Sequence, residues 1–278
     1  IAALQRLGGT PPAEDLPAVA WLAASIHGDE LSGTDAALLM AWRLAAGTDA
    51  ATRRLRDELV VHVDPLMNPD GRARFLAEVE SMTGMVPNPD HAALHHAGDW
   101  SGGRTNHYRF DLNRDWVALV HPATRARARA IGRWNPMVLV DAHEMGSLDS
   151  YLFDPPREPI HPAQSPRVFR WREVFGAGQA EAFDARGWAY YTQEWYEEWY
   201  PGYTNAWASL GGAIGLLYEQ ARFAGTLVRK RSGLVETFAD GVEQQLVSFI
   251  ANVDALSEHR LAILRDRFAD RLVATGLA

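Results

Sequence analysis

Four short apolar runs, none of them alternating with polar residues, constrain this chain more than any other feature. They occupy residues 18–26, 59–63, 137–140 and 213–218, and each is 4 to 9 residues long. A strand with one wet face alternates apolar and polar residues, whereas a continuous run suits a strand buried on both faces. Between the runs lie helical patterns at 34–46 with Gly47 at its end, at 122–134 and at 166–185, and a longer one at 233–272 that is expected to break once. Strand and helix signals in alternation predict an open, largely parallel sheet covered by helices on both faces.

Composition narrows the class. The 278 residues are 47% hydrophobic, enough for a substantial core, and the formal net charge is -8. Phosphate binding needs a basic face, so neither a nucleic acid nor an anionic membrane is an expected partner, and the apolar runs are too short to span a bilayer. There is no cysteine, so any metal must be held by His, Asp or Glu. The chain begins at Ile1 with no initiator Met, and is read as one domain, residues 1–278, of a longer chain. Two regions break the strand and helix rhythm: 81–109, rich in Gly, His, Asn and Pro, and 188–212, rich in aromatics. Long irregular segments in compact domains are commonly functional, and both are expected to frame a cleft.

The chemistry gathers where the apolar runs end. "HGDE" (His27, Glu30) follows the first run, "NPDG" (68–71) the second, "DAHE" (His143) ends the third and "YEQ" (Glu219) the fourth. Ligands of open α/β sheets bind at the carboxyl ends of the strands, so these segments can converge. His27 and Glu30, three apart at a helix start, either share a cation or form a polar turn with a helix-end acid. His143 offers a third ligand or a hydrogen-bonded core histidine. Two His and one carboxylate with an open position is the donor set of catalytic zinc sites. In "DLNRDW", Asn113 and Arg114 either grip a carboxylate or make an Asx-turn with a surface ion pair. Glu219 reads either as a general base or as the partner of nearby Arg222. The stretch 188–207 holds nine aromatics and fits a core strand, a sugar platform or a peptide cleft wall. His91, His95 and His96 read as exposed loop residues.

Taken together and in this order, "HGDE", "NPDG", "DLNRDW", "DAHE" and "YEQ" resemble the zinc carboxypeptidase family, the carboxypeptidase A/B-like metallopeptidases, in its bacterial-type members; the matches span residues 21 to about 222. The resemblance implies a three-layer α/β/α fold around a mixed, largely parallel sheet of eight strands. It implies one zinc ion (Zn2+) held by His27, Glu30 and His143, and Glu219 as the general base that takes a proton from the zinc-activated water. Asp111 would orient the first zinc histidine, Asn113 and Arg114 would hold the substrate's terminal carboxylate, and Arg104 would stabilise the oxyanion. Tyr203 would be the substrate-contacting tyrosine, with Tyr200 as a substitute. Only 26 residues precede His27, so the sheet is expected to lack the family's N-terminal edge strands. The function implied is removal of C-terminal residues from peptides or proteins, in a periplasmic or secreted setting. A zinc amidohydrolase of the aspartoacylase or succinylglutamate desuccinylase kind, a cell-wall stem-peptide peptidase, and a non-catalytic peptide or glycan binder on the same fold are the alternatives.

Overall fold

The computed structural model describes residues 15–97 and 102–276. Its central sheet has the strands β1 (Ala18–Ala24), β2 (Leu59–Asp64), β3 (Val138–Met145), β4 (Tyr151–Phe153) and β7 (Ile214–Ala221). Their order is β2-β1-β3-β7-β4. The first four pair in parallel, and β4 runs antiparallel against β7. Two small pairs stand apart: β5 (Arg157–Ile160) with β6 (Glu197–Glu198), and β8 (Leu227–Arg229) with β9 (Val235–Thr237).

The nine α-helices of the described residues are α1 (Ser32–Ala46), α2 (Ala50–Glu58), α3 (Pro69–Met82), α4 (Leu94–Ala97), α5 (Pro122–Trp134), α6 (Pro166–Asp184), α7 (Thr204–Leu210), α8 (Phe238–Glu258) and α9 (Arg260–Ala274), and a 3-10 turn at Leu112–Arg114 carries Asn113 and Arg114. The long C-terminal pattern does break once, at His259, which closes α8 and opens α9.

Three of the four continuous apolar runs have the reason assigned to them, in β1, β3 and β7; the run at 59–63 is instead the edge strand β2, half-buried beyond Leu59 because among the described residues no strand covers its outer side. In β1, Ala18, Ala20, Leu22 and Ala24 join one core with Ala36 and Met40 of α1, Phe175 and Phe183 of α6, and Phe249 and Val253 of α8. Trp21 and Ala23 face the other way, into a second core with Leu112, Trp116, Ile131 of α5 and Ala208 of α7. In β3 the same alternation sends Val138, Val140 and Ala142 to the first core and Leu139 to the second. Because both faces are apolar, the period of two is hidden in the sequence. The result is three layers, with helices on both faces of a mixed, mostly parallel sheet.

Three expectations need correction. Among the described residues the central sheet has five strands, against the eight implied by the resemblance. His143 and Glu219 lie inside their strands, since β3 runs on to Met145 and β7 to Ala221; the ladder continues past the apolar run because His143 pairs in register with Glu219 and Met145 with Ala221. His95 is buried, 4% exposed, its ring 4.0 Å from that of His96 on the helical turn α4, which packs against α3. His91 is exposed as expected.

Candidate active site

Strand alternation and register assemble the first part of the site. Val138, Val140 and Ala142 face the first core, so Asp141 and His143 face the other side. Tyr218 of β7 also faces the first core, which turns Leu217 and Glu219 to the side of His143. The parallel register sets Asp141 beside Leu217 and His143 beside Glu219.

The turn after β1 brings His27 and Glu30 to the same place. It closes through the Glu30 N–H donating to the His27 carbonyl at 3.2 Å. Three glycines allow it to sit deep. A β-carbon on Gly28 would lie 2.1 Å from the Arg72 nitrogen, one on Gly71 2.1 Å from the Gly103 carbonyl oxygen, and one on Gly103 2.6 Å from the Asp29 nitrogen. This gives "NPDG" a physical role. Asn68 caps α3 by accepting from the Gly71 N–H at 2.9 Å, and its amide donates to the Arg104 carbonyl at 3.2 Å. The motif therefore seats both the "HGDE" turn and the loop carrying Arg104.

At the centre the Glu30 carboxylate lies between two imidazoles. His27 Nδ1 is 2.7 Å from Oε1 and His143 Nδ1 is 2.8 Å from Oε2. The far nitrogens face acids: His27 Nε2 is 3.2 Å from Asp111 Oδ1, and His143 Nε2 is 2.7 Å from Asp141 Oδ2. All three central residues are buried and their donor atoms lie within 4.8 Å of one another, so they could hold a metal ion together. The electrostatics agree with that reading. Burial works against charge on His27, but the Glu30 and Asp111 carboxylates outweigh it and raise its pKa. Burial likewise opposes charge on His143, and Asp141 and Glu30 raise its pKa well above the ordinary value. Burial alone would raise Glu30, yet the two histidines hold it well below the usual carboxylate range. Three acids thus demand positive charge on two imidazoles, and a divalent cation among the Nδ1 atoms can supply it in place of protons.

Asp111 connects this centre to Arg104. Its Oδ2 accepts from Arg104 Nε at 3.0 Å and lies 2.9 Å from a terminal guanidinium nitrogen, while Arg104 Nη1 is 3.4 Å from His27 Nδ1. Burial opposes charge on Asp111, but His27, Arg104 and Arg114 together hold its pKa far below the ordinary value.

Asn113 is 5% exposed, with its amide nitrogen 3.2 Å from His143 Nε2. Arg114 donates to the Asn113 carbonyl at 2.9 Å and lies over the Tyr203 ring at 4.5 Å. Glu219 is pushed up to about 8 by burial, with His143 opposing the shift and Glu30 adding to it. The rival reading of Glu219 as the partner of Arg222 is not what the fold makes, because Arg222 pairs with Asp29 at 3.1 Å.

One cavity of about 380 Å3 is lined by His27, Glu30, Arg104, Asn113, Arg114, His143, Tyr203 and Glu219, so these candidates converge; Asp111 lies behind them. Trp195 and Tyr196 add a wall from the aromatic region. Tyr200 is not among the lining residues and packs edge-on against Tyr203 at 5.0 Å. The rest of that region divides its roles: Tyr190 stacks on Phe153 of the core at 4.9 Å, while Trp199 is 51% exposed. Sequence reading passed over Asp141, whose signal was present: two residues before His143 on a strand, it shares that histidine's face. It also passed over Glu144, which accepts from the Ser32 N–H at 2.7 Å. That bond has no signal short of the fold.

A buried His-Glu-His cluster at the carboxyl ends of parallel strands defines a candidate metallohydrolase. The comparisons narrow this. A model of the zinc carboxypeptidase family matches residues 8–131. No curated protein matches the chain. Among solved structures it is similar to a metallo-carboxypeptidase from Burkholderia cenocepacia, at 19% identity and a TM-score of 0.62, over 89% of this chain and 58% of that one. A metallo-carboxypeptidase from Pseudomonas aeruginosa, in complex with (2-guanidinoethylmercapto)succinic acid, is similar at 17% identity and a TM-score of 0.61, over 92% and 60%. The carboxypeptidase A of Helicoverpa armigera follows at 16% and 0.53, over 89% and 61%. At these identities the likeness is one of fold, and the chain spans less than two thirds of each of these structures. The resemblance to the zinc carboxypeptidase family holds in sequence over residues 8–131, and in fold over 89% of the chain.

Proposed function

We propose that the chain carries the catalytic site of a zinc-dependent peptidase that removes residues from the C-terminal ends of peptides or proteins. The observation that supports this most is the shared cavity: a His-Glu-His cluster, a half-buried carboxylate beside it, and an arginine and asparagine pair open onto one space. His27, Glu30 and His143 would hold one zinc ion. When bound, it supplies a Lewis acid that polarises the scissile carbonyl and makes water a better nucleophile.

The remaining chemistry belongs to the chain. Glu219 takes a proton from the attacking water on a carboxylate oxygen and passes it to the nitrogen of the leaving amine. Its half-buried carboxylate opens onto the same cavity as the His-Glu-His cluster, within reach of a water held there. Arg114, stacked on Tyr203, offers guanidinium donors to the terminal carboxylate, and Asn113 lines the same space. Arg104, on the wall of the same cavity with Nη1 3.4 Å from His27 Nδ1, would donate to the negative charge that develops on the carbonyl oxygen. Asp111 fixes the tautomer and orientation of His27.

The test is mass spectrometry of a mixed peptide pool incubated with the zinc-loaded protein, with a chelated aliquot as control. C-terminal ladders that vanish on chelation support the reading. Intact peptides together with hydrolysis of N-acyl amino acids would replace it with the amidohydrolase, and intact peptides bound unchanged at full zinc occupancy would replace it with a binding protein.

A further inference from the structure

Glu30 has to be placed with respect to two different strands, because the other histidine of the cluster is on β3 and the candidate base is on β7. The turn that carries Glu30 leaves β1, which pairs with β3 but not with β7. The closing bond from Glu30 to His27 fixes the turn internally and says nothing about its distance from Glu219.

Two contacts flank Glu30 and supply the missing constraints. On one side the Ser32 N–H at the start of α1 donates to Glu144 Oε1 at 2.7 Å, tying the turn to β3 next to His143. On the other, Asp29 Oδ2 lies 3.1 Å from Arg222 Nη1. Arg222 directly follows β7, three residues beyond Glu219, and its backbone N–H donates to the Met145 carbonyl at the end of β3 at 3.3 Å. Asp29 is buried, 7% exposed. A buried carboxylate without a cation is costly and, next to Glu30, would repel the charge that the cluster must concentrate. The acids acting on Arg222 are, in order of influence, Asp29, Glu30, Glu144 and Glu219.

We propose that Arg222 is a positioning residue: through its ion pair with Asp29 it locks the metal-holding turn to the strand end that carries Glu219, so that the metal and the base keep a fixed separation. The inference rests on the metal reading proposed above. It assigns to Asp29, the third residue of "HGDE", the work of alignment and not of coordination.

The experiment measures zinc affinity, by competition with a chromogenic chelator, and the visible absorption spectrum of the cobalt(II)-loaded protein. It compares the wild type with Arg222→Met, Arg222→Lys, Asp29→Asn and the Asp29→Asn/Arg222→Met double variant, with thermal midpoints recorded for each. We expect Arg222→Met to bind zinc about ten- to a hundredfold more weakly and to show an altered cobalt spectrum. Arg222→Lys should recover most of both, and the double variant should be no worse than the poorer single one, as two halves of one contact require. Wild-type affinity and spectrum in Arg222→Met, or losses that simply add in the double variant, would overturn the proposal. If Arg222→Met does not fold, Asp29→Asn decides: an unchanged affinity and spectrum there overturns it as well. A wild type that binds no zinc defeats the metal reading and this proposal with it. A wild type that binds zinc and cuts no peptide defeats only the peptidase reading.

Discussion

The side-chain oxygen of Asn113 accepts both the backbone N–H and the hydroxyl of Thr204, each at 2.8 Å. Thr204 opens α7, and Tyr203 before it carries the stacked Arg114, so Asn113 holds the Tyr203 wall of the cavity as well as lining it. Asn113→Ala should therefore cost about 1–2 kcal/mol of stability. It should also raise KM for substrates with a free carboxylate by roughly tenfold. Steady-state kinetics check it. A fall in kcat at unchanged KM would mean that Asn113 serves His143 and not the substrate.

Glu219→Gln keeps the shape of the side chain and removes its capacity as a base. Turnover of a susceptible peptide should fall by about 10²- to 10⁴-fold. Zinc affinity should stay at the wild-type value, since the cluster is complete without it. Retention of most of the turnover would exclude Glu219 as the proton acceptor.

Asp111 serves His27 and Arg104 at once. Asp111→Asn should weaken zinc binding by about ten- to a hundredfold, read by chelator competition. Unchanged affinity would show that the Arg104 contact, not the orientation of His27, is what Asp111 provides.

Two glycine substitutions should have opposite fates. Gly28→Ala places a β-carbon 2.1 Å from the Arg72 nitrogen, which only movement of the backbone can relieve, so thermal stability and zinc binding should both collapse. At Gly132, within α5, a β-carbon would meet open space, with nothing within 4 Å. Gly132→Ala should stabilise by about 0.5–1 kcal/mol through the helix-interior preference for alanine. Equal thermal midpoints for the two variants would refute the packing argument.

Behind the cavity wall, Asp154 and Glu198 share the fully buried Arg172, at 3.5 and 2.7 Å. Burial pushes Asp154 up to about 7, with Arg172 opposing the shift and Glu198 adding to it. Its pKa is higher folded than unfolded, so the folded chain binds the proton more tightly between about pH 4 and 7. The contribution is fully present below that window and is lost as pH rises through it, by at most roughly 4 kcal/mol. Denaturant melts at pH 5 and pH 8 should show the wild type losing stability relative to Asp154→Asn. A constant difference between the two proteins would rule out titration of this group.

The parts of this molecule that were legible before folding are those where one residue's chemistry or one segment's polarity suffices. Three of the four continuous apolar runs announced strands buried on both faces, the fourth being the half-buried edge strand β2, and 122–134 became α5 without adjustment. The helices α2 and α3 have no such signal: α2 is largely polar, and α3 begins at Pro69 within what reads only as a functional motif. The buried state of His95 was also hidden, because a histidine in a Gly- and Pro-rich segment gives no sign of the helix packed over it.

By itself the sequence determined the candidate donor set, a pair of histidines and a carboxylate with no thiol to compete, and the order in which the segments after the apolar runs deliver it. Residue chemistry and polarity are local properties, written at each position. Only the tertiary structure decided that His143 and Glu219 stand side by side, since that follows from the register of two strands 76 positions apart, His143 to Glu219. It likewise decided that Arg222 turns to Asp29 and not to Glu219. An ion pair is chosen by distance and burial, and neither quantity exists until the chain has folded.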